Sequence, residues 1–174
     1  MSVRNTILRA VEPLFDRNGF MASGMDRLTE AAGVSSRTLY KHFGSKAGLM
    51  VATLGERDRR FRARLDVRTV DAFFAALEDW IRVEGARGCL FLRALGETGG
   101  DTPEIVAAVH TQKAFLRDRI GDIVHVELGE PCDELADQLL VLFEGATAAA
   151  AYRGVEAASA ARRAAGILLA NAKQ

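Results

Sequence analysis

Apolar side chains recur at three- and four-residue steps through most of this chain. Val3, Ile7, Leu8, Val11, Leu14 and Phe15 fall on one stripe and predict an amphipathic helix over residues 3–18, which Asn18-Gly19 then stops. Pro13 lies inside that stripe. It has no N–H for the Arg9 carbonyl, so a kink is expected between Arg9 and Pro13. A second helix start follows at Ser23, with Asp26 three residues on as the capping acid and Met25, Leu28, Ala31 and Ala32 as the apolar face up to Gly33. Ser35 reads as the N-cap of a third helix through Phe43. Gly44-Ser45 punctuates, and a fourth helix beginning near Lys46 reaches about Leu65, burying Leu49, Met50, Leu54, Phe61 and Leu65.

Farther along, Val70 to Val83, Pro103 to Glu127, Asp133 to Tyr152 and Ala157 to Ala172 also read as helices. The stretch Gly85 to Gly100 holds five glycines around the apolar run Cys89 to Leu95 and predicts a short helix with a loose end. An apolar fraction of 49%, a charged fraction of 26% and only three prolines in 174 residues agree with an all-α, folded chain.

Net charge is zero, yet residues 1–47 hold seven Lys/Arg against four Asp/Glu, which suits phosphate contact at that end. Arg4, Arg9 and Glu12 interrupt any apolar run at the start, so neither a signal peptide nor a spanning helix is expected and the cytoplasm is the expected compartment. Cys89 and Cys132 fit no metal spacing and are expected as free thiols. His42, His110 and His125 have no carboxylate or thiol partner at ligand spacing, so no metal or cofactor is expected.

Two short helices around Ala32-Gly33-Val34-Ser35 form a helix-turn-helix pattern, in which the glycine allows the sharp turn and the second helix enters the major groove. The run from Leu28 to Lys46, LTEAAGVSSRTLYKHFGSK, with Ile7-Leu8, Leu14-Phe15 and Gly19-Phe20 upstream, resembles the DNA-binding domain of the TetR (tetracycline repressor) family. That resemblance covers about residues 4–50. It implies a homodimer of nine-helix subunits, with a helix-turn-helix domain over residues 1–46 and a helical effector-binding and dimerisation domain over 47–174.

Ser35 and Ser36 sit where hydroxyls and free N–H groups at a helix start can meet a phosphate, while Arg37 and Thr38 project from the first turn toward base edges. Tyr40, Lys41, His42 and Lys46 suit phosphate contacts, and Ser23 resembles the family's Thr or Ser at the start of the second helix. Leu39 and Phe43 are expected in the core. Arg57, Arg59, Arg60, Arg62 and Arg64 form a basic cluster, but Glu56 with Arg60 and Asp58 with Arg62 are spaced to pair along a solvated helix face.

The C-terminal part carries less signal. Gly88-Cys89-Leu90-Phe91 resembles a Gly-Cys-x-Phe segment in one group of these regulators, and Ala136 to Leu140 with Glu144-Gly145-Ala146 resembles their penultimate helix. This suggests an effector pocket near Trp80, Cys89, Phe91, His110 and Phe143, for each of which ordinary core packing is the alternative. The small and large residues of the last two helices suit pairing with a second subunit through Leu139, Ala146, Ala160, Ala164 and Leu168; an intrachain core is the alternative. The expected function is a repressor released from double-stranded operator DNA by a small apolar or amphipathic effector. An activator or a ligand-independent DNA-binding factor of the same fold is the rival. A helical enzyme lacks any nucleophile motif, phosphate-gripping loop or paired-carboxylate signature here.

Overall fold

The computed structural model describes residues 2–174, which contain nine helices and no strand. In chain order these are α1 (Val3–Asn18), α2 (Met25–Ala32), α3 (Ser36–Phe43), α4 (Lys46–Arg62), α5 (Val70–Glu84), α6 (Leu90–Glu97), α7 (Pro103–Leu128), α8 (Asp133–Arg153) and α9 (Val155–Ala172). Among the described residues no helix is long and apolar enough to cross a membrane.

The chain forms two compact units. One comprises residues up to Arg60 together with Leu90–Thr111, the other Phe61–Cys89 together with Gln112–Gln174. The unit boundaries therefore differ from a cut at residue 46, because α6 and the first part of α7 return to the N-terminal helices.

In the first unit, Ile7, Val11 and Phe15 of α1 are fully buried beside Leu28 of α2, Leu39 of α3 and Leu49, Met50 and Leu54 of α4. These are the apolar stripes read from the sequence, and each Leu/Ile/Phe so buried contributes about 1.5–3 kcal/mol. Helix α1 continues through Pro13. The start of α2 differs from expectation: Gly24 is the N-cap, and Ser23 is fully buried, its hydroxyl donating to the Gly19 carbonyl at 2.6 Å. Inward hydrogen bonding has drawn Ser23 out of the capping position and away from solvent.

Of the two expected helix-face pairs, Glu56 with Arg60 sorts differently as well. Arg60 pairs with Glu12 of α1 at 2.6 Å, not with Glu56, and Arg57 reaches the same carboxylate at 2.9 Å. Glu56 takes Arg59, one turn on, at 2.8 Å. Arg57 and Glu12 are each 8% exposed and Asp16 is 6% exposed, so this is a buried ion cluster. Arg93 of α6 joins it, 3.7 Å from the Asp16 carboxylate and donating to the Asp16 carbonyl at 2.9 Å. Arg62 stacks over the Phe115 ring at 3.6 Å, and α4 ends there, three residues short of Leu65.

In the second unit, α5, α8, α9 and the later turns of α7 share one apolar core. Thr69 caps α5 by accepting the Ala72 N–H, and Arg119 donates to the Leu65 and Val67 carbonyls at 3.0 and 2.6 Å, fixing the segment that leads into α5. Arg162 of α9 grips Asp71 of α5 through two short contacts. That guanidinium holds the Asp71 carboxyl below its ordinary range. Helices α8 and α9 are separated by Gly154 alone, whose φ of +63° is the left-handed conformation that reverses the chain there.

Candidate nucleic-acid interface and the other site residues

The turn between α2 and α3 is built by Gly33. Its φ of +63° places the Gly33 N–H on the Glu30 carbonyl and the Val34 N–H on the Thr29 carbonyl, closing α2 with both bonds of a Schellman end. Ser35 then starts α3, accepting the Thr38 N–H at 3.2 Å, with its hydroxyl 3.0 Å from that of Thr38. A cap of this kind is worth about 1 kcal/mol. With Leu39 and Phe43 anchored in the core, the opposite face of α3 presents Ser36, Arg37, Tyr40 and Lys41, all exposed. Ser35 is exposed at the helix start, and Thr38 and His42 are half-buried along its flank. The third helix and its cap thus gather Ser35, Ser36, Arg37, Thr38, Tyr40, Lys41 and His42, with four cationic or hydroxyl-bearing side chains, Ser36, Arg37, Tyr40 and Lys41, on a single solvent-facing surface.

Arg4 adds something that the sequence pattern did not reveal. Its guanidinium donates to the His42 carbonyl at 2.8 Å and lies over the Phe43 ring at 4.6 Å, so α1 supplies a cation to the carboxyl end of α3. Lys46 is half-buried at the first position of α4. Its ammonium donates to the Met21 carbonyl at 3.3 Å and sits 4.5 Å from the centre of the Phe20 ring. Burial pushes the Lys46 ammonium below the ordinary lysine value, an effect partly offset by the Glu97 carboxylate.

Trp80 and Phe143 lie together in the core of the second unit. The Phe61 ring is 5.0 Å from Trp80 and 5.9 Å from Phe143, and Phe73 is 5.4 Å from Phe143. Cys89, in the same unit, is half-buried with the Lys113 ammonium 3.5 Å from its sulfur; Lys113 also pairs with Glu144 at 2.6 Å. Phe91 is buried in the first unit, and His110 is exposed there.

The proposed subunit seam divides in two. Leu139 and Ala146 are buried within the chain's own core, because that face of α8 packs on α5 and α9. Ala160, Ala164 and Leu168 are only partly covered and line shallow grooves with Val141, Leu142, Gly145 and Ala149. The face also carries Val141, Tyr152 and Ile167, exposed by 72%, 80% and 64%.

Residues 7–53 match the family model for bacterial regulatory proteins of the tetR family. The transcriptional activator FasR of Mycolicibacterium smegmatis is 43% identical over 51 residues, 29% of this chain and 23% of that protein. The transcriptional regulator TcmR of Streptomyces glaucescens is 25% identical over 142 residues, 75% of this chain and 62% of that protein. The matches thus span less than two thirds of either curated relative. Among solved structures, a TetR-family transcriptional regulator from Streptomyces coelicolor superposes with a TM-score of 0.89 at 25% identity, covering 99% of this chain and 96% of its own. Residues 7–53 thus belong to the tetR family of bacterial regulatory proteins, and the chain as a whole shares the fold of a solved TetR-family transcriptional regulator.

Proposed function

We propose that the protein is a DNA-binding transcriptional regulator whose α3 enters the major groove of an operator, and that it acts as a repressor released by a small apolar or amphipathic effector. The observation that carries the DNA reading is the exposed face of α3, held by the Ser35 cap and the buried Leu39 and Phe43. Arg37 is the base-reading side chain, since a guanidinium can bond two acceptors on a guanine edge; Ser36, Tyr40, Lys41 and Lys46 meet phosphates. Residues 1–46 do the reading and residues 47–174 the sensing and pairing. The name of FasR, a transcriptional activator, favours one alternative, activation by the same fold.

The test starts from a duplex selected out of a random pool by the purified protein. Arg37→Ala should relax preference at one position of that site by about 1–3 kcal/mol, whereas Lys41→Ala should weaken all sequences alike and lower the salt slope by about one. Fluorescence anisotropy that gives both variants the affinity and slope of the unmodified protein would contradict this interface.

The sensor is assigned to the second unit, at the aromatic group of Trp80, Phe61 and Phe143. An inducer must prefer a state with mis-spaced reading heads, so the operator must weaken its binding by the same factor, typically about 5- to 150-fold. Calorimetric titration with and without operator measures that factor. Equal affinities would mean that the compound tested is no inducer.

A further inference from the structure

Two oppositely charged side chains hold the two ends of one residue in the turn between α1 and α2. The Met21 N–H donates to Oε2 of Glu97 at 2.9 Å, and the Met21 carbonyl accepts from the Lys46 ammonium at 3.3 Å. Glu97 comes from the last turn of α6, Lys46 from the first turn of α4, and all three belong to the first unit. Space for the carboxylate depends on Gly19: a Cβ there would overlap the Glu97 oxygens, and the φ of +83° already excludes most side chains. Four residues earlier on α6, Arg93 donates to the Asp16 carbonyl. Helix α6 therefore clasps the end of α1 and the following turn with one cation and one anion, a helical turn apart.

We propose that Glu97 is a positioning residue of the DNA interface, an internal anion that holds the α1–α2 turn and Lys46 in place and competes with a DNA phosphate for the Lys46 ammonium. Lys46 opens a helix, where free N–H groups already favour an anion, and Ser45 caps that helix through the Gly48 N–H at 2.9 Å. A phosphate arriving there meets a cation with the Glu97 carboxylate held on the same residue, Met21, so that negative charge holds down both affinity and salt dependence. The chain enters α6 directly from the second unit at the Cys89–Leu90 bond, so a shift of α6 would move the competing charge. This inference rests on the reading that Lys46 touches DNA.

Glu97→Gln separates charge from shape, because the amide oxygen can still accept the Met21 N–H while the negative charge is gone. Glu97 is exposed, so the variant keeps its fold. The probe is a fluorescent duplex of random sequence, titrated with the full-length protein between about 50 and 200 mM salt. Glu97→Gln should bind about three- to tenfold more tightly at the low-salt end, with a salt slope steeper by up to about one, as one more phosphate is neutralised. In a Lys46→Ala background the same substitution should do little. Hydrogen exchange at the Met21 amide should stay slow in Glu97→Gln and quicken in Glu97→Ala. An unchanged or weakened Glu97→Gln, or an equal gain without Lys46, overturns the proposal. Lys46→Ala with unaltered affinity and slope overturns the Lys46 reading and the proposal with it; a weakened Lys46→Ala beside a silent Glu97→Gln overturns the proposal alone.

Discussion

Glu12→Gln is expected to destabilise the protein by about 3–5 kcal/mol, the range for removing one partner from a buried ion pair. Glu12 is 8% exposed and accepts from two guanidiniums: Arg57 at 2.9 Å, and Arg60 at 2.6 and 3.1 Å. Neutralising it turns an amide N–H₂ toward two cations, while Asp16 stays 4.0 Å from Arg57 and 3.7 Å from Arg93. Against a total stability of about 5–15 kcal/mol, that loss is a large share. Urea unfolding at matched pH checks it. Arg59→Ala is the control: its pair with Glu56 leaves Arg59 67% exposed, and it should leave the urea midpoint close to that of the unmodified protein. If Glu12→Gln behaves like this control, the cluster is solvated in solution and carries no such weight.

The second large effect concerns the face of α8 and α9 that the chain leaves uncovered. Val141, Tyr152 and Ile167 are exposed beside the small residues Gly145, Ala149, Ala160 and Ala164, so a second copy can approach closely along it. Ala164→Arg should split the homodimer proposed here. By two-fold symmetry the seam would receive the charge twice, and each buried, unpaired guanidinium costs several kcal/mol. A total penalty of about 5 kcal/mol or more weakens the dimer over a thousandfold. Within one subunit Ala164 is only half-buried, so the helical content should persist in circular dichroism while light scattering reports a monomer. A monomeric unmodified protein, or an undisturbed dimer in the variant, would sink this assignment. Operator affinity should fall with the dimer, since a single reading head cannot span half-sites about 34–36 Å apart.

Local signals in the chain were enough for the helices and for the reading head. Helical periodicity located all nine segments to within a few residues, and the Gly33 turn, the Ser35 cap and the burial of Leu39 and Phe43 followed from spacing, because each depends on neighbours three or four positions away. Where a polar side chain found its partner far along the chain, spacing was silent or misleading. Ser23 had the look of a cap but bonds inward to Gly19, and Arg60 sat four residues from Glu56 but pairs with Glu12, 48 positions away. Arg4 on the end of α3 and Glu97 on Met21 had no sequence signature at all. The same division holds on α8 and α9, where the sequence grouped Leu139, Ala146, Ala160, Ala164 and Leu168 but could not say that Leu139 and Ala146 would be buried within the chain while Ala160, Ala164 and Leu168 stayed partly uncovered. Helix propensity, capping and amphipathic pattern are properties of a few consecutive residues and are written in the sequence. Which charge neutralises which, and which apolar face remains for a partner, depends on how helices from distant segments pack, and only the tertiary structure decided that.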